Sequence, residues 1–226
     1  MRALPLLFSS ALLFSGTVAA PQSVPAQTDS SAALVPLARA LGATPTSASV
    51  EVYATEIVTI APPVQSLEHA LLPSARWQES ALGSGTVLRG VRGGLTARIS
   101  ALPLPHGRVF LSCSRSEDVP PAKIASALEE LWGTPCGTDE ASVVLTARLG
   151  VRPDAAQIRQ AIRLVGAKPL GVLAGPTGAF ALAELPGGAP QVTVGGRSMN
   201  LALRISYDRA PTANVLIGAP TLRPSR

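Results

Sequence analysis

The sequence predicts an α+β protein: a curved, mostly antiparallel sheet with its helices on one face, built from two copies of one unit. Three observations carry this. The strand segments alternate apolar and polar residues with period two, so one face of the sheet is buried and the other is wetter. The helical segments each carry a single apolar stripe, so they cover one face only. The order α-β-α-β-β-β occurs twice along the chain.

The first unit reads as follows. Residues 30–41 place Leu34, Leu37, Ala38 and Leu41 at helical spacing. Pro36 cannot sit in a helix interior, so this helix starts late, with Pro36 in its first turn, and Gly42 ends it. Residues 48–59 form a strand in which Val50, Val52 and Ala54 alternate with Glu51, Tyr53 and Thr55. Pro62-Pro63 starts a second helix with Val64, Leu67 and Leu71 on one face, closed by Pro73 and Ser74. Three strands follow at 86–92, 95–101 and 108–113, the first two joined by a Gly93-Gly94 hairpin turn. Asp118 is expected to cap a helix beginning at Pro120-Pro121, with Ile124, Ala127, Leu128 and Leu131 as its stripe.

The second unit repeats the pattern. Ala141-Ser142-Val143 echoes Ala48-Ser49-Val50 at an offset of 93 residues, and each follows a helix and a Thr-Pro pair, Thr44-Pro45 and Thr134-Pro135. A helix beginning at Pro153 buries Ile158, Ala161, Ile162 and Val165, and strands come at 170–174, 179–185, 199–207 and 214–219. Gly175-Pro176-Thr177-Gly178 and Gly187-Gly188 are turns, and residues 208–211 connect the last two strands. The division is therefore 1–26 signal peptide, 27–118 first repeat and 119–226 second repeat, the two repeats forming one integrated domain.

Residues 1–26 have the layout of a secretory signal. Arg2 makes a basic start, residues 3–20 carry no charge and are rich in Leu, Phe and Ala, and small residues suit cleavage near Ala19 or Ala26. The run is too short and too polar to read first as a membrane anchor, although an uncleaved anchor would leave the same domain outside. The expected location is exported, extracellular or attached to the cell envelope, with no membrane span after cleavage. Removing 1–26 takes away only Arg2, so the formal charge falls from +5 to +4. Of 19 basic residues, 17 are arginine, and they are scattered. The charge fits an anionic partner, and it fits equally a chain with few acids.

The segment V-G-G-R-S-M-N-L, the alternating strand after it and V-L-I-G-A-P, spanning 194–220, resemble the C-terminal signature of the YwmB family of secreted bacterial proteins. Gly195, Gly196, Met199, Asn200, Gly218 and Pro220 carry the resemblance, and the signal, length and order of elements are similar over most of the chain. What it implies is a fold similar to the TATA-box-binding protein, a pseudo-twofold saddle of sheet backed by helices. It implies no activity and no functional residues. Nucleic acid is not an expected partner. Saddle-type DNA binders insert paired aromatic wedges among Lys and Arg, whereas beyond the signal only Phe110 and Phe180 remain, each single.

Local catalytic motifs are missing from the sequence. There is no G-x-S-x-G, S-x-x-K, H-E-x-x-H or phosphate loop. Gly83-Ser84-Gly85 reads as a turn into a strand, not a nucleophile elbow, which needs a strand before it. His69 and His106 have no Cys, Asp or Glu at ligand spacing, so neither a metal nor another cofactor is expected. Cys113 and Cys136, in an exported chain, read as one disulfide or as two separate thiols. Closing that loop of about 24 residues would stabilise by roughly 3 kcal/mol. The open sheet face is the remaining candidate. Thr96, Arg98 and Ser100 are expected on it in one half and Asn200, Arg204 and Ser206 in the other. With Arg98, Ser100, Asn200 and Arg204 as binding residues, the expected function is a non-catalytic envelope module that binds an anionic cell-wall polymer or an envelope protein. The alternatives are a wall-modifying enzyme whose Glu51, Glu56 or Glu184 meets His106 in the fold, and an assembly partner with an apolar patch.

Overall fold

A computed structural model of the chain describes residues 28–59, 61, 64–136, 140–187, 192–194, 196–207 and 213–219. The expected signal peptide, the Pro62-Pro63 helix start, Gly188, Gly195, the 208–211 connection and Pro220 lie outside these residues.

Two helices open the described chain, α1 (Thr28–Ala32) and α2 (Leu34–Ala40). Pro36 accounts for the break between them, because its ring would collide with the carbonyl of Ala32 four residues earlier. It falls in the first turn of α2, as read from the sequence, but the short helix ahead of it was not anticipated. Gly42 ends the segment at φ +76. β1 (Thr44–Val58) starts before the expected 48–59, because its pairing with β6 (Glu140–Leu149) already begins at Thr44.

α3 (Val64–Leu71) buries Leu67 and Leu71. Val64, expected on the same face, is 44% exposed; it stands at the start of the helix, ahead of the part that lies on the sheet. Four strands follow where three were expected: β2 (Arg76–Leu82), β3 (Gly85–Arg92), β4 (Leu95–Pro103) and β5 (Val109–Val119). The additional strand, β2, means that a strand does precede Gly83-Ser84-Gly85, contrary to the sequence reading. The turn is still no nucleophile elbow, because a strand and not a helix follows it. β5 runs on to Val119, so Asp118 pairs with Ser49 of β1 and caps nothing. Pro120-Pro121 stops the strand, and a 3-10 turn leads into α4 (Ile124–Leu131), whose buried residues are the four expected.

After β6, α5 (Ala155–Leu164) is opened by a reciprocal cap. The Gln157 N–H donates to the Asp154 side chain at 2.8 Å, and the Asp154 N–H donates to the Gln157 side chain at 2.9 Å. Then come β7 (Lys168–Gly175), β8 (Gly178–Glu184), β9 (Val192–Val194), β10 (Arg197–Met199), β11 (Leu201–Tyr207) and β12 (Ala213–Ala219). The expected strand 199–207 is thus interrupted at Asn200.

Ten strands form one sheet in the order β2-β3-β4-β5-β1-β6-β12-β11-β8-β7, and β9 and β10 pair separately. Every pairing among the described strands is antiparallel. Exchanging β1 with β6, β5 with β12, β4 with β11, β3 with β8 and β2 with β7 returns the same order read from the other end. The protein is α+β with a large antiparallel sheet.

One core joins α2, α4 and α5 to Val50 and Val52 of β1, Val143, Leu145 and Leu149 of β6, Val215 and Ile217 of β12, and Leu201, Leu203 and Ile205 of β11. A smaller one joins Leu67 and Leu71 of α3 to Leu88, Ile99, Leu111 and Cys113. Fully burying one such aliphatic side chain stabilises by about 2 kcal/mol. Along β1 these residues alternate with Ser49, Glu51 and Tyr53, which therefore belong to the face away from the helices.

Candidate functional site

Strand register assembles the uncovered face. In the first half one row runs Gln78 (β2), Arg89 (β3), Arg98 (β4), Ser114 (β5) and Tyr53 (β1). Its neighbour carries Arg76, Val91, Thr96, Ser116 and Glu51. In the second half the corresponding row runs Leu173 (β7), Phe180 (β8), Arg204 (β11), Leu216 (β12) and Thr146 (β6). One half of the face is basic and hydroxyl-rich. The other sets Arg204 among Leu173, 74% exposed, and Phe180, 39% exposed, with exposed Arg148 (β6) and Asn214 (β12) and half-buried Ser206 (β11) in the next row.

Arg98 and Arg204 occupy corresponding positions. Arg98 lies between Arg89 and Ser114, and Arg204 between Phe180 and Leu216, on strands that exchange under the symmetry of the sheet order. The sequence bears this out: L-T-A-R-I-S at 95–100 recurs as L-A-L-R-I-S at 201–206, with four of six residues identical. Arg98 is half-buried and Arg204 exposed. The Nε of Arg98 is hidden from solvent and has no hydrogen-bond partner. Thr96 and Ser206 are half-buried, and Ser100 is buried in the row between Val87 and Ser112.

Asn200 does not belong to this face. It is fully buried, and its side-chain amide accepts from the Leu185 N–H at 2.7 Å and donates to the Leu185 carbonyl at 2.9 Å. Its own N–H donates to Ala183 at 3.2 Å. The chain leaves the β9–β10 ladder here, and the amide stands in for a backbone pair, so its role is structural. Arg89 is the residue that the sequence reading missed. A two-residue Gly93-Gly94 turn fixes the register of the strands on either side, and that register sets residue 89 opposite Arg98.

Several groups are committed elsewhere. Arg115 donates to the carbonyls of Leu131, Trp132 (2.8 Å) and Gly133 (3.0 Å), and so caps the C-terminal end of α4. Arg92 donates to the Pro73 carbonyl at 2.7 Å. Arg152 stacks 4.9 Å from the Tyr207 ring centre. Cys113 and Cys136 form a disulfide, with Cα atoms 6.0 Å apart, tying β5 to the segment after α4.

The acids and the histidine that an enzyme would need are scattered. Glu51 and Glu56 lie on β1, five residues apart and so on opposite faces. His106 sits in the 3-10 turn between β4 and β5, at φ 64, and Glu184 lies on β8. His69 is exposed on α3. An open cleft of about 370 Å³ is lined by Lys168, Pro169, Leu170, Glu184, Arg197 and Ser198, without the other three. Among the described residues no group of three or more His, Cys, Asp or Glu could hold a metal ion. No described helix is long and apolar enough to cross a membrane. No protein-family model matches the sequence, and no curated protein matches it.

Proposed function

We propose that the protein is an exported, non-catalytic cell-envelope module akin to the YwmB family, folded as a duplicated saddle similar to the TATA-box-binding protein. Its uncovered sheet face binds an anionic cell-wall polymer. The palindromic strand order and the repeated hexapeptide support the duplication. One observation supports the binding role: two arginines, Arg98 and Arg204, sit at corresponding places on the face that no described helix covers. They lie five strand spacings apart, and their rows meet β1 six residues apart, at Tyr53 and Ser47, a separation of roughly 30 Å, which suits an extended polymer better than a compact metabolite. Joint substitution of Arg98→Ala and Arg204→Ala is expected to abolish retention on purified sacculi while leaving the melting temperature within a few degrees. Unchanged retention would remove this face from the account.

Leu173 and Phe180 support a second reading, contact with an envelope protein or a second copy. They are direct partners across β7 and β8 and both are exposed. A mass that rises with concentration, and stops rising with Leu173→Glu, would favour it.

A further inference from the structure

We infer that Arg89 and Arg98 together form a clamp for one phosphodiester group, and that this clamp decides which anions the face accepts. The inference rests on the binding-face reading above and deepens it.

Arg89 and Arg98 are direct partners in the β3–β4 pairing. Side chains so placed leave Cβ atoms about 5 Å apart, where like charges are destabilising. No acid stands beside either in its row, since Gln78 flanks Arg89 and Ser114 flanks Arg98. The nearest acid in the adjoining row, Glu51, lies on β1, two strands from β4, opposite Ser116. Meanwhile the Arg98 Nε–H is out of water and unpartnered, although a hidden N–H ordinarily finds an acceptor. The Nε of Arg115 is likewise unmet, but its other nitrogens engage the carbonyls at the end of α4; Arg92 and Arg152 have a carbonyl or a ring to engage. A repulsive pair with an unmet donor weakens the empty fold; an anion lodged between the two guanidinium groups relieves the repulsion, and a turn of the Arg98 side chain toward it brings the hidden Nε–H to an acceptor.

The donor set selects the anion. A carboxylate accepts in one plane and is satisfied by a single guanidinium fork. A phosphodiester presents its oxygens around a tetrahedron, so forks reaching it from two neighbouring strands can both bond, with the Ser114 hydroxyl alongside. Arg204 has no such setting, because its neighbours are Phe180 and Leu216. A ligand too short to span the face should therefore engage the first half alone.

The test is a calorimetric titration of the exported protein with a trimer of glycerol phosphate and with a polyglutamate oligomer of equal charge. Vesicles of phosphatidylglycerol or of phosphatidylcholine form a second arm. The trimer is expected to bind and polyglutamate to bind at least about tenfold more weakly. Arg89→Gln and Arg98→Gln should each weaken the trimer by about tenfold or more, and Arg98→Lys, which keeps the charge without the fork, should stay weak. Arg159→Gln, at an exposed position of α5 away from this face, should leave trimer binding within about twofold. The two Gln variants should melt at or above the parent, by about 1–3 °C, because a repulsion has gone. Tighter capture by phosphatidylglycerol vesicles than by the trimer at equal phosphate would make a lipid headgroup the source of the group, and weaker capture would make it the polymer; either supports the clamp. Equal binding of polyglutamate, equal loss with Arg159→Gln, or no binding of any probe overturns it. If sacculi retain both Gln variants, the clamp fails and the wall reading stands. If the trimer binds through the clamp and sacculi do not retain the protein, the clamp stands and the wall reading fails.

Discussion

Val50 and Val143, 93 residues apart in the chain, are direct partners across β1 and β6. The neighbouring pairs are reciprocal: Ala48 faces Leu145, and Val52 faces Ala141. A local twofold axis relating β1 and β6 would therefore pass between Val50 and Val143. Both are buried against the helices, so this junction belongs to the main core. Val50→Ala and Val143→Ala are each expected to destabilise by about 2 kcal/mol, and to do so non-additively because the side chains are neighbours. Urea unfolding of the two single variants and the double variant measures this.

Asn200→Leu removes both partners that Leu185 has in the buried amide. Two backbone groups lose their pairing, and a loss of about 3 kcal/mol is expected. Retention on sacculi per folded molecule should stay at the parental level, since Asn200 is away from the face. Reduced retention with unchanged stability would return it to the binding surface.

Arg115→Met keeps the aliphatic stem and removes the donors that cap α4. A loss of about 2 kcal/mol is expected, with faster amide exchange in the last turn of α4 than elsewhere. Uniform acceleration across the sheet would argue against a local cap.

The Cys113–Cys136 bond closes 23 residues. Replacing both cysteines by serine is expected to lower stability by roughly 3 kcal/mol, chiefly by freeing the unfolded chain. Serine at these buried positions adds its own penalty, so a Cys113→Ala, Cys136→Ala pair separates the two effects. A reductant should lower the parent's melting temperature and leave the Ala pair unmoved.

The core-forming strands and helices were legible because periodicity and proline placement act locally. The 86–92 and 95–101 hairpin with its two-residue turn was readable almost to the residue. β2 escaped notice because its sequence, R-W-Q-E-S-A-L, is polar, as an edge strand often is. It is held by Trp77 lying on Gly90, where a Cβ would come 2.7 Å from the indole, a contact that no local pattern announces. Asn200 was assigned to the open face by alternation alone. Alternation carries no information about a strand that ends at that residue and turns its amide inward. On the site itself, Arg98 and Arg204 could be read from the sequence, while Arg89 needed the register to be carried across the hairpin.

Gly90→Val offers a direct check on that edge. The added side chain has nowhere to go but into Trp77, and a loss of about 2 kcal/mol is expected. Combining it with Trp77→Ala should recover part of that loss, measured as a coupling in a double-mutant cycle.

The most direct measurement is co-sedimentation of residues 27–226 with purified cell-wall sacculi, before and after the anionic polymers are stripped from them. The account predicts retention on intact sacculi that weakens as salt rises and disappears on stripping. Retention that is indifferent to both stripping and salt, or absent from intact sacculi, would contradict an electrostatic wall ligand on the arginine-bearing face.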